Sequence, residues 1–148
     1  AELPQADLLV MAAAPADFRP AAVAEQKLKR GGGAMTLALA PTADILAATR
    51  ALRRNGAVVV GFALETTDLE ANARKKLASK DLDLIVLNDA TEPGAGFGVD
   101  TNRVTLLARD GAVEALPLLP KGEVADAILD RAERLLAARA AAANAPVA

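Results

Sequence analysis

The chain has 148 residues, 53% of them apolar and only 2% aromatic, with a formal net charge of −2. That length suffices for one domain with a sizeable core, and the near-neutral balance argues against a global basic field for nucleic acid. Cysteine, histidine, tryptophan and tyrosine are absent and Ser79 is the one serine, which excludes disulfide scaffolds, zinc sites built on Cys or His, Cys-His nucleophiles and Ser-His-Asp triads within this chain. What remains is Asp, Glu, Lys, Arg, Asn, Thr and backbone dipoles. Such a kit suits holding a phosphorylated substrate that brings its own nucleophile. No apolar run reaches membrane-spanning length and no signal peptide is visible, so a cytoplasmic location is expected. The first residue is alanine and the first apolar run reads like an interior strand, so the chain is expected to be a fragment.

In chain order, 6–13 is a short, nearly continuous apolar run, as expected of a parallel strand covered on both faces. It opens into small residues, Ala12-Ala13-Ala14, and then sets Asp17, Phe18 and Arg19 side by side. Residues 17–33 are polar and irregular, with Lys27, Lys29 and Arg30 ahead of Gly31, Gly32 and Gly33. This reads as a cationic lid hinged by glycines, or as a solvated charge run after a plain loop start. Weak alternation over 34–40 predicts a half-buried strand. A helix is expected from Pro41-Thr42, with Thr42 as N-cap, an apolar stripe of Ile45, Leu46, Thr49 and Leu52, and an end at Asn55-Gly56.

A strongly apolar strand over 57–63 follows, and then Thr67-x-x-Glu70, the spacing of a capping box, with Leu69, Ala73 and Leu77 on one helical face as far as Lys80. Residues 83–87 form another buried strand ending in Asn88-Asp89. A glycine-rich loop, 91–101, leads to a hairpin with strands 103–108 and 112–118 and a turn at Arg109-Asp110-Gly111. A final helix over about 121–140 packs through Val124, Ile128, Leu135 and Leu136. A domain over 1–140 and a disordered tail, 141–148, are expected. This order predicts an α/β fold: a three-layer, Rossmann-like, mostly parallel sheet with a late antiparallel hairpin.

Three strand exits carry small or polar residues, around Ala14, Asp17 and Phe18, around Gly61, Phe62 and Glu65, and at Asn88-Asp89. Open α/β sheets bind ligands at such exits, although Asn88-Asp89 also fits a turn cap and Phe62 a core position. Lys75, Lys76 and Lys80 form a second basic cluster, either a phosphate-facing set or a solvated helix face. Gly94-Ala95-Gly96-Phe97-Gly98 follows a strand but leads into another strand, so it lacks the helix start of a dinucleotide fingerprint.

Six motifs in sequence carry a family resemblance. They are Ala12-Ala13-Ala14-x-Ala16-Asp17-Phe18-Arg19-Pro20, Lys27-x-Lys29-Arg30, Asp44-Ile45-Leu46, Gly61-Phe62-Ala63-x-Glu65-Thr66, Ala73 followed by Lys76 and Lys80, and Asp83-x-Ile85-x-x-Asn88-Asp89. Over about 6–134 the chain resembles phosphopantothenoylcysteine synthetase, the C-terminal half of the bacterial bifunctional coenzyme A biosynthesis flavoprotein. The resemblance implies CTP-dependent ligation of 4′-phosphopantothenate with cysteine through an acyl-cytidylate. It implies Lys27 as the catalytic flap lysine, with Lys29, Arg30 and Gly31, Gly32 and Gly33 in the flap. Ala13, Ala14, Asp17, Phe18, Asp44, Phe62, Lys76 and Lys80 would bind the nucleotide and intermediate. Mg²⁺ would accompany CTP with unknown metal ligands, FMN would belong only to a decarboxylase domain preceding this chain, and a homodimer is implied, with neither nucleic acid nor membrane as partner. Two departures stand out. Pro41 replaces a phosphate-contacting lysine of many members, and the family's glycine-rich N-terminal segment, with its substrate-binding Asn, lies upstream of Ala1, so the isolated chain is expected to be inactive. A non-catalytic nucleotide- or phosphoester-binding module of the same fold is the alternative. A dinucleotide-dependent oxidoreductase is disfavoured by the missing fingerprint.

Overall fold

The computed structural model describes residues 2–65, 67–89 and 98–144, with Asp89 described by its backbone alone. After a single 3₁₀ turn at Leu3–Gln5 come β1 (Leu8–Met11), β2 (Phe18–Pro20), β3 (Leu39–Pro41), α1 (Ile45–Ala48) and a second 3₁₀ turn, Arg50–Leu52. Then follow β4 (Val58–Glu65), α2 (Leu69–Ser79), β5 (Leu84–Asp89), β6 (Thr101–Asn102), β7 (Val104–Ala108), β8 (Val113–Ala115), β9 (Leu119–Pro120) and α3 (Lys121–Ala143).

The main sheet runs in the order β1-β4-β5-β7-β8. β1, β4 and β5 are parallel and in register from Leu8 opposite Val58 to Glu65 opposite Asp89, whereas β7 and β8 are antiparallel. Alternation along the strands splits the apolar residues between two faces. Val58, Val60, Leu84, Val86, Val104 and Leu106 pack against Val124, Ile128 and Ala132 of α3. Val59, Ala63, Ile85, Leu87 and Leu107 pack against Leu46, Ala73 and Leu77. The expected three-layer, mostly parallel architecture with a late hairpin is therefore present. The helix expected to end at 140 continues to Ala143, and residues 145–148 of the expected tail lie outside the described residues.

Several local expectations are corrected. β1 is only half-buried, because among the described residues it has β4 as its one neighbour. The strand expected over 34–40 shrinks to β3, an exposed ribbon partner of β2, and Met35, Leu37 and Leu39 are all exposed. Asp44 caps α1 in place of Thr42, and of the expected stripe Leu46 alone is buried. The capping box does not form: Asp68, in the left-handed region at φ 46°, precedes the helix without a side-chain cap, and Glu70 pairs with Arg74 one turn on. An i,i+4 acid–base pair competes directly for the N3 carboxylate. Of the expected glycine-rich loop, 91–101, residues 91–97 lie outside the described residues.

The N-terminal ends of the parallel strands are fastened by charge. Asp83, 4% exposed, accepts a hydrogen bond from Val59 N–H at 2.8 Å and pairs with Arg139 of α3 at 2.5 Å. Arg109 reaches both Asp81 (2.6 Å) and Asp83 (3.4 Å), and Arg50 adds a second cation to Asp81 at 3.1 Å. Arg53 donates to the carbonyls of Leu46, Lys80 and Asp81, closing the C-terminal ends of α1 and α2.

Candidate functional site

At the opposite end of the sheet a pocket of ≈ 470 Å³ opens where the chain leaves β1 and β4. One wall is the extended run from Ala12 to Asp17, whose small side chains leave room for a ligand against the backbone. Thr42 holds this wall in place. Its hydroxyl donates to Ala16 O at 2.5 Å and its N–H to Asp17 O at 2.8 Å. Asp17 and Asp44 both line the pocket.

Asp44 accepts from Ala47 N–H at 3.1 Å, and its Oδ2 lies 3.4 Å from Lys80 Nζ. The backbone N–H, and after it the lysine charge, hold the Asp44 carboxyl below its ordinary value of 3.8. One turn earlier on α2, Lys76 pairs with Glu65, the last residue of β4, at 2.6 Å. Phe62 of β4 and Asn88 of β5 complete the lining. Asn88 Oδ1 is buried and accepts no hydrogen bond among the described residues.

Of the residues expected at a nucleotide site, Ala13, Ala14, Asp17, Asp44, Phe62, Lys76 and Lys80 line this one pocket. Phe18 does not. It is the first residue of β2, just after the bend at Asp17, and it stands 59% exposed opposite Pro41 in the β2–β3 ribbon. Lys27, Lys29, Arg30 and Gly31, Gly32 and Gly33 lie outside the pocket lining, in the exposed loop that Ala21 N–H closes on Ala38 O at 2.9 Å. None of the three glycines has positive φ, so the expected hinge uses no conformation reserved for glycine. Asn88, read from sequence as a strand exit or turn cap and left out of the binding set, joins the lining. Its signal was its place immediately after an apolar strand run.

The arrangement pairs a backbone-lined crevice with the ammonium groups of Lys76 on α2 and Lys80 at its C-cap, and with the carboxylates of Asp17 and Asp44. The family description for the DNA/pantothenate metabolism flavoprotein C-terminal domain matches residues 1–136. The chain belongs to that family. Within it, the chain is 48% identical over 123 residues to the coenzyme A biosynthesis bifunctional protein CoaBC of Bacillus subtilis (strain 168), covering 83% of this chain and 30% of that protein. It is 38% identical over 133 residues to the CoaBC of Escherichia coli (strain K12), covering 88% and 32%. A cysteine/cysteine sulfinic acid decarboxylase from an unknown prokaryotic organism is 45% identical over 125 residues, covering 84% and 35%. The chain thus spans about a third of the length of these curated relatives. Among solved structures, the C-terminal domain of a CoaBC superposes with a TM-score of 0.70 at 35% identity, covering 91% of this chain and 57% of that domain. A DNA/pantothenate metabolism flavoprotein from Streptococcus pneumoniae, at 19% identity and a TM-score of 0.67, shares the fold.

Among the described residues of this family member, no helix is long and apolar enough to cross a membrane. Nor do the described acidic side chains gather in threes to cage a cation.

Proposed function

We propose that the chain serves coenzyme A biosynthesis as the ligase part of a bifunctional protein, joining 4′-phosphopantothenate to cysteine at the expense of CTP. The carboxylate of 4′-phosphopantothenate attacks the α-phosphorus of CTP, forming an acyl-cytidylate and expelling pyrophosphate. The amine of cysteine then attacks the acyl carbonyl, an amide forms, CMP leaves with the bond electrons, and the amine proton passes to solvent. The observation that carries this reading is the meeting of the Ala12–Asp17 wall, Phe62 and the α2 lysines in one pocket at the strand ends, in a chain of this family. Both nucleophiles come from substrates, so a chain without Cys or His needs only to bind, orient and stabilise charge.

In this reading Lys76 and Lys80 meet the triphosphate, and the small residues Ala13 and Ala14 admit the reacting phosphate to the backbone. Phe62 flanks the nucleotide, and Lys27 closes over the acyl-cytidylate from the loop. Phe18 acts from the ribbon side. The acidic residues Asp17 and Asp44 fit a magnesium ion carried in by the nucleotide, bound mainly through phosphate oxygens and water, where it would offset phosphate charge. FMN belongs to the decarboxylase part of the bifunctional relatives, and no step of this chain runs through it. The protein works as a cytoplasmic homodimer, and this chain tested by itself is expected not to turn over.

The test is pyrophosphate release by the native polypeptide carrying this chain, given 4′-phosphopantothenate and Mg²⁺, with CTP and ATP compared. Cysteine is withheld and then added. Release with CTP that quickens on adding cysteine is expected. Nucleotide binding with no release, from folded protein, would favour the binding module, to which Pro41 in place of a lysine lends some weight. Lys27→Gln is expected to lower kcat by about 100-fold, the scale of losing one transition-state donor, with an unchanged melting temperature. Equal losses of stability and turnover would count against the loop lysine's role.

A further inference from the structure

The two pocket lysines are held differently. Lys80 pairs with Asp44 at 3.4 Å, and that carboxylate is exposed and already satisfied by Ala47 N–H. It can release Lys80 to an incoming anion at little cost. Lys76 pairs with Glu65 at 2.6 Å, and the Glu65 side chain is only 14% exposed. Its Oε1 is buried and accepts no hydrogen bond among the described residues, so the Lys76 ammonium is its compensating charge there. A carboxylate with one oxygen buried is destabilised when its cation is removed. The ammonium itself sits on a 42% exposed side chain at the pocket lining, with N–H donors left for a ligand.

We propose that Glu65 is the positioning residue for Lys76: it keeps the ammonium at the phosphate subsite in both the free and the loaded pocket, while Asp44 yields Lys80 to the ligand. This rests on the nucleotide reading of the pocket. Glu65 stands at the end of β4, where its backbone pairs with β5 in the sheet, so the ammonium is referenced to the sheet and not only to α2. A free lysine side chain spreads over many rotamers, and ordering it on binding consumes part of what the contact yields. Pre-ordering by Glu65 removes that loss.

The opposite role, a counter-ion that competes with phosphate for Lys76, makes the opposite forecast, and a double-mutant cycle separates them. CTP with Mg²⁺, and separately inorganic tripolyphosphate, would be titrated calorimetrically against the native polypeptide and its Glu65→Gln, Lys76→Met and double variants. With positioning, Lys76→Met weakens binding about tenfold when Glu65 is present, as for loss of a charge-assisted contact, and less than about threefold in the Glu65→Gln background. A larger loss in the Glu65→Gln background establishes competition and overturns the proposal. Equal losses in the two backgrounds overturn it as well, since they leave Glu65 a structural role only. Urea midpoints provide the folding control: Lys76→Met, which orphans a buried carboxylate, is expected to unfold earlier than the double variant. A protein that binds tripolyphosphate but not CTP retires the cytidylate reading and leaves the cycle readable on tripolyphosphate. Binding of neither overturns both.

Discussion

Gly61 shows how one residue ties the sheet to the helix that carries the lysines. A Cβ placed on it would lie 2.6 Å from Leu82 Cδ1, and Leu82 is 1% exposed. Leu82 is there because α2 ends in a Schellman turn: Leu82 N–H reaches Leu77 O at 2.9 Å and Asp81 N–H reaches Ala78 O at 3.3 Å. Asp81 takes the left-handed position at φ 54° that glycine usually fills. Gly61→Ala is therefore expected to cost about 1–3 kcal/mol in urea unfolding, as overpacking does, and Leu82→Ala in the same chain should recover part of it. Asp81 keeps its place through charge. The hydrogen bond from Arg109, and then the charges of Arg109 and Arg50, hold its carboxyl below the ordinary 3.8. A carboxyl lowered on folding adds stability above the unfolded value and loses it as pH falls through the folded one. Asp81→Asn, which still tolerates the left-handed region, should flatten the fall in stability between about pH 5 and pH 2. The effect is expected to be about 1 kcal/mol or less, because the group is part-exposed and screened. Melting curves at stepped pH would read it.

Among the elements, the apolar runs were legible and their ends were not. Val58-Val59-Val60 and Leu84-Ile85-Val86 fit buried parallel strands because both faces are covered, and they proved so. Helix starts misled wherever a side chain had two suitors. Thr42 has the chemistry of a cap, but α1 starts at Ile45 with Asp44 as its cap, and Thr42 instead donates its hydroxyl to Ala16 O, 26 residues back in the chain. Thr67 and Glu70 have the spacing of a capping box, but Arg74 takes the glutamate. The site was half legible. Strand exits marked Ala13, Asp17 and Phe62, and the i,i+4 spacing of Lys76 and the α2 C-cap Lys80 brought both to the pocket, while Phe18, placed in the β2–β3 ribbon, stayed out of the lining. The arginine–aspartate fastening escaped altogether, because Asp83, Arg109 and Arg139 are scattered through the chain and no local pattern joins them. At this scale Asp83→Ala is expected to lower stability by about 2 kcal/mol, since it leaves the buried Val59 N–H without its acceptor and takes the carboxylate from Arg139, which keeps its bonds to the Gly56 and Ala57 carbonyls. Arg139→Met should cost less, because Arg109 still faces Asp83. Chemical denaturation of the two variants would show the order.

Across the whole molecule, pocket and fastening are segregated to opposite ends of the parallel strands. The C-terminal ends carry the pocket, and the N-terminal ends carry the buried carboxylate and its arginines. Changes at the fastening should therefore move melting temperature before nucleotide affinity, and changes at Lys80 the reverse. Phe18 and Leu39, the exposed apolar side chains of the ribbon, are the candidate contact of the proposed homodimer. If they are its contact, Phe18→Glu with Leu39→Glu should sediment as a monomer with its melting transition intact. Dimers persisting in that variant would move the interface elsewhere.

The Ala21–Ala38 hydrogen bond closes the basic loop at its base, and Thr42 fixes the chain just beyond it. That closure makes the loop separable from the domain by a protease. Trypsin has Lys27, Lys29 and Arg30 available on an exposed stretch, and a cut there breaks none of the main sheet's strand pairings. The clipped protein should remain folded as two associated pieces. Slower clipping under saturating CTP would report the loop closing over its ligand, without any chemistry taking place.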